Sequence, residues 1–217
     1  MTQLELRLDE RMLFCGKTGS GKSALAKYLL EQAQKLLHAR IIIIDADDSF
    51  SKKKSYLGLG TVEAPVKVKA YDRFADVQLY VPDGMAKDDN TVNEIFEHAL
   101  EDGDCIVYID EAMGLVTQNS YSREFSNLWT RGRKHHTAAW IATQRPMRVP
   151  EIILSQAEHA FIFRINHLDD RKRLVEYMDI PEILAAPVEK YYFWYKHSDA
   201  KHAVLQAPLN IGRYGSS

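Results

Sequence analysis

The sequence predicts an α/β fold in which helices flank a mostly parallel sheet. Strand-like apolar runs alternate along the chain with segments of helical periodicity, which is the order that parallel sheets require. A glycine-rich loop separates the first strand from the first helix, and an aromatic run near the C-terminus predicts a β-hairpin. The 217 residues suffice for one substantial core. We therefore expect a single domain over residues 1–211, followed by a disordered Gly/Ser tail over 212–217.

Each element has its own signal in the sequence. The predicted strands are apolar runs, namely the run ending at Cys15, Ile41 to Ile44, Val66 to Tyr71, Cys105 to Ile109, Thr137 to Ala142, and Ala160 to Ile165. Apolar residues at helical spacing predict helices at Ala24 to Leu36, Val92 to Leu100, Phe125 to Trp129, and Leu168 to Met178. The hairpin is predicted from Tyr191 to Tyr195 and from Ala203 to Leu205.

The loop between the first strand and the first helix has the phosphate-binding pattern GxxxxGK(S/T). Its residues are Gly16, Lys17, Thr18, Gly19, Ser20, Gly21, Lys22 and Ser23. Glycines let successive backbone N–H groups surround phosphate oxygens at the positive end of the following helix. We expect Lys22 to contact the β- and γ-phosphates and Ser23 to place its hydroxyl on Mg²⁺. A nucleoside triphosphate with Mg²⁺ is therefore the predicted ligand.

Two carboxylates follow the apolar strand from Cys105 to Ile109, which is the pattern of a Walker B strand. We expect Asp110 to hold the Mg²⁺ together with Ser23, and Glu111 to polarise the attacking water as the base. The next predicted strand ends beside Gln144, whose uncharged side chain is expected next to Glu111 as a sensor of the γ-phosphate.

Composition limits the classes of function. The formal net charge is −2, so binding to a polyanion cannot be inferred from the overall charge and needs local basic patches. One such patch is Lys52, Lys53 and Lys54, although a short basic run is more often a solvated loop. No apolar stretch is long enough to span a bilayer and the N-terminus has no signal-peptide pattern, so we expect an intracellular protein without membrane insertion. Cys15 and Cys105 lie in strands and are expected to be buried, reduced thiols.

Four motifs, taken together in their order and spacing, resemble the FtsK–HerA superfamily of DNA-pumping ATPases. They are Gly16 to Ser23, the Asp110-Glu111 strand, the basic run Arg131 to His136, and Ala142 to Pro146. The resemblance covers roughly residues 4–165. It implies a P-loop NTPase fold of the RecA/ASCE-like type, with ATP and Mg²⁺ as cofactors and ATP hydrolysis as the reaction.

The resemblance also implies a homo-oligomeric ring, usually a hexamer, with each active site between two subunits. In such a ring an arginine of the neighbouring subunit completes the site and neutralises charge that develops on the transferred phosphoryl group. Arg131 and Arg133 lie in the region where the superfamily places that arginine, and Arg133 is slightly preferred. Both residues also fit a surface role or contact with DNA.

Among members of the superfamily, this compact chain is most similar to the genome-packaging ATPases of tailless double-stranded DNA viruses. That similarity implies a ring that grips double-stranded DNA by its phosphate backbone, without sequence specificity. Candidate contacts are Lys52, Lys53 and Lys54, and the segment from Thr117 to Arg123 with Arg123 at its end. Capsid-vertex proteins are implied partners, and the expected location is the host cytoplasm, docked at the capsid vertex.

Two alternatives stay open at this point. The nearer one is a cellular or conjugative DNA translocase or helicase of the same superfamily. The other belongs to a different class, an ATP-dependent assembly or morphogenesis switch that does not act on DNA. Glu111, Gln144 and the two arginines argue against a pure switch, because a switch needs no machinery for hydrolysis.

Overall fold

The computed structural model describes residues 5–46, 65–82, 90–185 and 187–209. Its strands are β1 Met12–Cys15, β2 Arg40–Asp45, β3 Val66–Val68, β4 Val77–Tyr80, β5 Cys105–Asp110, β6 Thr137–Thr143, β7 His159–Ile162, β8 Phe193–His197 and β9 Val204–Gln206. Its α-helices are α1 Lys22–Leu37, α2 Asn90–Asp102, α3 Arg123–Arg131, α4 Glu151–Gln156 and α5 Leu168–Met178. Short 3₁₀ turns at Ala112–Gly114, Gly132–His135, Pro146–Arg148 and Pro181–Leu184 join several of them.

Within the described residues, the nine strands form a single sheet in the order β3-β4-β2-β5-β6-β1-β7-β8-β9. The strands from β3 to β7 pair in parallel, and β8 and β9 continue the sheet in antiparallel pairing. The predicted mostly parallel sheet with flanking helices and a C-terminal hairpin is thereby confirmed. The strand that precedes the phosphate-binding loop lies between β6 and β7, in the middle of the parallel part.

The central strands are apolar on both faces because helices cover both sides of the sheet. Alternate residues of each strand point to opposite sides, so Leu13 of β1 belongs to one apolar core and Phe14 to the other. Helix α1 packs on the side of Phe14, whereas α2 and α3 pack on the side of Leu13. Because the strands from β3 to β7 run in parallel, their carboxyl ends meet at one edge of the sheet.

Strand β4 was absent from the sequence prediction, which instead extended the preceding strand from Val66 to Tyr71. The four residues of β4 include a buried polar residue, Gln78, that interrupts the apolar signal. The Gln78 side chain is accommodated because its amide donates to the Asp72 carbonyl and accepts from the Asp72 N–H. A polar side chain can occupy a core position when its donor and acceptor atoms both have hydrogen-bond partners.

Several sequence predictions fall on residues outside the described ranges. Lys52, Lys53 and Lys54 are among them, and so is the predicted tail over 212–217. The predicted extent of the domain, residues 1–211, stays a prediction. Among the residues that the structure describes, no helix combines the length and the apolar character needed to cross a membrane.

Candidate active site

The phosphate-binding loop is tied by its backbone to the two strands that flank β1. The Gly16 N–H donates to the Thr143 carbonyl at the end of β6, at 3.2 Å. The Lys17 N–H donates to the Arg164 carbonyl just beyond β7, at 3.0 Å. These bonds fix where the loop stands at the carboxyl edge of the sheet, and α1 starts directly behind it at Lys22.

Gly16 has no room for a side chain. A Cβ atom at this position would lie 2.6 Å from the Phe163 Cβ and 2.9 Å from the Ser20 Oγ, and its φ of 151° is unfavourable for other residues. Phe163 therefore packs directly against the loop backbone. The Ser20 hydroxyl is buried and has no hydrogen-bond partner within the described residues.

The start of α1 places a hydroxyl next to a carboxylate. The Ser23 Oγ lies 3.4 Å from the Asp110 Oδ1, and the Tyr108 hydroxyl donates to the same oxygen at 2.7 Å. Lys22, also in the first turn of α1, is largely buried, with 7% of its surface exposed. Hydroxyl and carboxylate oxygens that converge in this way are hard ligands of the type that Mg²⁺ takes at about 2.0–2.1 Å. The donor set therefore fits a magnesium ion, which Ser23 and Asp110 would hold.

A second carboxylate, Asp45, adjoins this site and was missed by the sequence reasoning. It is the last residue of β2, it is completely buried, and it pairs in register with Asp110 of β5. Its signal was present in the sequence, because Asp45 follows the apolar run Ile41 to Ile44 as Asp110 follows its own. Two adjacent strands thus deliver carboxylates to the same edge.

Glu111 stands directly after β5 in an unusual backbone conformation. Its φ of 57° lies in the left-handed region, which non-glycine residues seldom adopt. Burial raises the pKa of its carboxyl above the usual range for glutamate, although the nearby Lys22 ammonium opposes that shift. Backbone strain of this kind clusters at functional sites, and a partly desolvated carboxylate suits a proton acceptor.

Gln144 lies between the loop and Glu111. Its Oε1 accepts a hydrogen bond from the Thr18 hydroxyl at 2.6 Å, and its backbone N–H donates to the Glu111 Oε1 at 3.4 Å. Gln144, which the sequence placed at the tip of β6, thus contacts the loop through its side chain and Glu111 through its backbone. A single residue therefore connects the phosphate-binding loop to Glu111.

An ion pair between a partly exposed arginine and a buried aspartate supports the segment that follows Gln144. Asp170 of α5 is fully buried and accepts from the Arg145 Nε at 3.0 Å and from the Met147 N–H at 2.9 Å. Sequence reasoning missed this support, because Asp170 has no local pattern that marks it as more than the acidic first turn of a helix.

The two candidate trans-acting arginines lie far from this site. Arg131 ends α3 and Arg133 lies in the 3₁₀ turn before Thr137, the first residue of β6, whereas the loop adjoins the last residue, Thr143. Both side chains are exposed, and the Arg133 Nε lies 3.5 Å from the Asp9 Oδ2. The seven residues of β6 separate the two ends by about 20 Å. Neither arginine can therefore complete the site of its own subunit.

One DNA-contact candidate that the structure describes, Arg123, is exposed. Arg123 is the first residue of α3, directly after Ser122, whose hydroxyl caps the helix by accepting from the Phe125 N–H. The preceding turn is closed by a bridge between Thr117 and Ser120.

A histidine cluster occupies the opposite, amino edge of the sheet. Glu10, His159 and His197 bring potential ligand atoms within 4.8 Å of one another, the single such group among the described residues. Both ring nitrogens of His159 already have partners, Tyr195 Oη at 3.0 Å and Glu10 Oε2 at 2.8 Å. Burial lowers the pKa of His159, so this cluster is accounted for as the hydrogen-bonded environment of a neutral histidine.

The sheet order and the loop at its carboxyl edge define a P-loop NTPase, and the carboxylates beside the loop define one equipped for hydrolysis. Residues 12–165 match the model of the ATPase family associated with various cellular activities (AAA). The chain belongs to this AAA family and is an ATP-binding ATPase.

Individual relatives agree with this assignment. The chain is 25% identical over 209 residues to the DNA packaging ATPase P9 of Enterobacteria phage PRD1, covering 92% of this chain and 87% of the relative. Its fold is similar to that of the genome packaging NTPase B204 of Sulfolobus turreted icosahedral virus 2 in complex with AMPPCP, with a TM-score of 0.75, 16% identity, and coverage of 94% and 100%. VirB4 of Thermoanaerobacter pseudethanolicus shares the fold more distantly, with a TM-score of 0.63, 12% identity, and coverage of 92% and 90%. The resemblance to viral DNA-packaging ATPases is confirmed.

Proposed function

We propose that this protein is the ATP-driven motor that packages a viral double-stranded DNA genome. The observation that carries the proposal is the likeness to the packaging ATPase P9, which extends over nearly the whole of both chains. The site geometry supports it, because a loop, two carboxylates and Gln144 converge at one edge of the sheet. Gln144 contacts both the phosphate-binding loop and Glu111, and a motor needs a residue of this kind to couple ATP hydrolysis to movement.

In the proposed reaction, Lys22 and the loop amides hold the triphosphate of ATP, and Ser23 and Asp110 would hold Mg²⁺. The bound ion supplies neutralising charge to the phosphate oxygens. Glu111 accepts a proton from water as the water oxygen bonds to the γ-phosphorus, and the bond from that phosphorus to the β–γ bridging oxygen breaks. ADP and phosphate leave, and Gln144 loses its γ-phosphate partner.

The proposal further includes a homo-oligomeric ring, with a hexamer favoured. Arg131 and Arg133 lie at the end of β6 opposite the phosphate loop, so either one can act only on the nucleotide of another subunit. An arginine supplied in trans makes hydrolysis depend on assembly, since it stabilises charge in the transition state. Activity should therefore rise with subunit concentration.

DNA is proposed to pass through this ring and to be held by its phosphates, without base reading. Arg123 is the described candidate contact, because it is exposed at the start of α3. Lys52, Lys53 and Lys54 remain candidates as well. The net charge of −2 means that these contacts have to be local. Capsid-vertex proteins in the host cytoplasm are the proposed docking partners.

The test is steady-state ATP hydrolysis over a series of protein concentrations, with and without linear double-stranded DNA at low salt. Turnover that rises cooperatively with concentration, and further with DNA, is expected. DNA stimulation should fade as salt is added, because phosphate contacts are screened. A Lys22→Ala variant controls for contaminating ATPases. Turnover independent of concentration and DNA, in a folded protein, would favour an assembly switch instead.

A further inference from the structure

An exposed aromatic side chain stands beside the phosphate-binding loop, and the function described so far makes no use of it. Tyr191 is 48% exposed and lies in the turn before β8, where the Tyr192 N–H donates to the Glu189 carbonyl at 3.2 Å. Its φ of 70° is in the left-handed region. A non-glycine residue held in this region marks a site where the surrounding structure imposes a conformation.

Tyr191 reaches the last glycine of the loop. A Cβ atom built on Gly21 would lie 3.4 Å from the Tyr191 Cδ1 and 3.1 Å from the Phe163 Cε1. Gly21 immediately precedes Lys22, so the tyrosine ring stands at the point where the loop turns into α1. A part of a bound nucleotide that extends from the loop past Gly21 would therefore contact the ring.

The positions of the other site residues indicate which end of ATP points toward Tyr191. Glu111 and Gln144, which act on the γ-phosphate, lie beyond the loop toward β6 and β5. Tyr191 and Phe163 lie on the other flank, toward β7 and β8. If the γ-phosphate points toward Glu111 and Gln144, the nucleoside end of ATP points the other way, toward Tyr191 and Phe163.

We propose that Tyr191 is the stacking platform for the adenine base of ATP. Its ring already has a cation on one face, because the Lys190 Nζ lies 4.7 Å from the ring centroid. The base stacks on the opposite face. Stacking of a base on an aromatic ring tolerates different bases because every base has a π-face. The proposal rests on ATP binding at the loop and is independent of any action on DNA.

The decisive measurement compares two probes, Mg²⁺-ATP and Mg²⁺-tripolyphosphate, by calorimetric titration of the full chain. Both probes engage the loop, but only ATP carries a base. Tyr191→Ala is expected to weaken ATP binding about tenfold and to leave tripolyphosphate binding unchanged. Tyr191→Phe should bind both probes as the parent chain does, because it keeps the ring. Phe74→Ala, which removes another exposed aromatic side chain, is the matched control.

A second variant keeps the test decisive if Tyr191→Ala fails to fold. In Tyr191→Trp, ATP should quench the fluorescence of the new indole and tripolyphosphate should not, after subtraction of the signal of the parent chain. Equal weakening of both probes would show that Tyr191 only supports the loop, and unchanged ATP binding would show that it touches no base. Either result overturns the proposal. Failure of DNA to stimulate hydrolysis would bear on the packaging function alone.

Discussion

At the scale of single residues, the candidate site combines an unfavourable backbone conformation with a desolvated carboxyl beside the phosphate-binding loop. Glu111 combines a left-handed backbone with a carboxyl whose pKa is raised by burial. Such features weaken a fold unless packing enforces them, and here the Gln144 N–H fixes the carboxyl from the neighbouring strand.

The raised pKa of Glu111 gives a prediction about pH. Glu111 accepts a proton only when ionised, so kcat/KM should fall as pH falls through the raised pKa, above the value of about 4.3 for a free glutamate. Protonation favours the folded state here, because the folded chain binds this proton more tightly than the unfolded chain. The acidic limb should therefore appear while circular dichroism still reports folded protein. A limb that coincides with unfolding would contradict the assignment.

Replacement of the same residue separates binding from turnover. Glu111→Gln should lower kcat by about 10²–10⁴-fold, because the amide cannot take up the proton. ATP affinity should stay near that of the parent chain, as measured by equilibrium binding. Glu124→Gln, in the first turn of α3, is the control. Parallel loss of affinity and turnover would argue that Glu111 holds the site together and is not the base.

Tyr108 is predicted to orient the proposed metal ligand Asp110. Its hydroxyl donates to the Asp110 Oδ1 at 2.7 Å, and its ring packs in the core beside α1. Tyr108→Phe keeps the packing and removes this bond, so the Mg²⁺ concentration that supports half-maximal hydrolysis should rise about tenfold. Tyr28→Phe on α1 is the control. A loss of activity that saturating Mg²⁺ fails to restore would place the role of Tyr108 elsewhere.

At the scale of elements, the sequence predicted those parts that depend on local pattern. The phosphate loop, the Asp110-Glu111 strand and the position of Gln144 each arise from contiguous residues whose order determines their place. Strand β4 escaped prediction because Gln78 breaks its apolar run, and the support of Asp170 for Arg145 escaped because the pair is 25 residues apart. Long-range pairs of this kind follow from topology and leave no periodic signal.

The phosphate loop itself gives a prediction about stability. Gly16→Ala and Gly19→Ala both force a side chain onto a positive φ, but only the Cβ at position 16 meets other atoms, at 2.6 Å from Phe163. Gly19→Ala should lower the free energy of unfolding by about 1–2 kcal/mol from backbone strain alone. Gly16→Ala should lower it by more, because the steric clash adds to the strain. Urea unfolding without nucleotide measures both, and equal values would contradict the role of Phe163.

At the scale of the whole molecule, the parallel sheet separates two chemical edges. Its carboxyl edge carries the ATP site, and its amino edge carries the exposed arginines together with Asp9 and the hydrogen-bonded His159. A subunit organised in this way can offer a site to one neighbour and an arginine to another. Head-to-tail contacts of this type close into rings when the rotation between subunits permits.

This polarity predicts complementation between two inactive subunits. Arg133→Ala should hydrolyse little ATP because its neighbours lack the arginine, and Lys22→Ala should hydrolyse little because its own loop is impaired. Mixed rings should regain activity, since an intact loop in the Arg133→Ala subunit then faces Arg133 of a Lys22→Ala neighbour. Arg131→Ala mixed with Lys22→Ala tests the other arginine in the same way. ATP hydrolysis is followed as the ratio of the two variants changes, with assembly checked by light scattering. Mixed rings that assemble without recovering activity would exclude action of Arg133 in trans and leave it as a surface partner of Asp9.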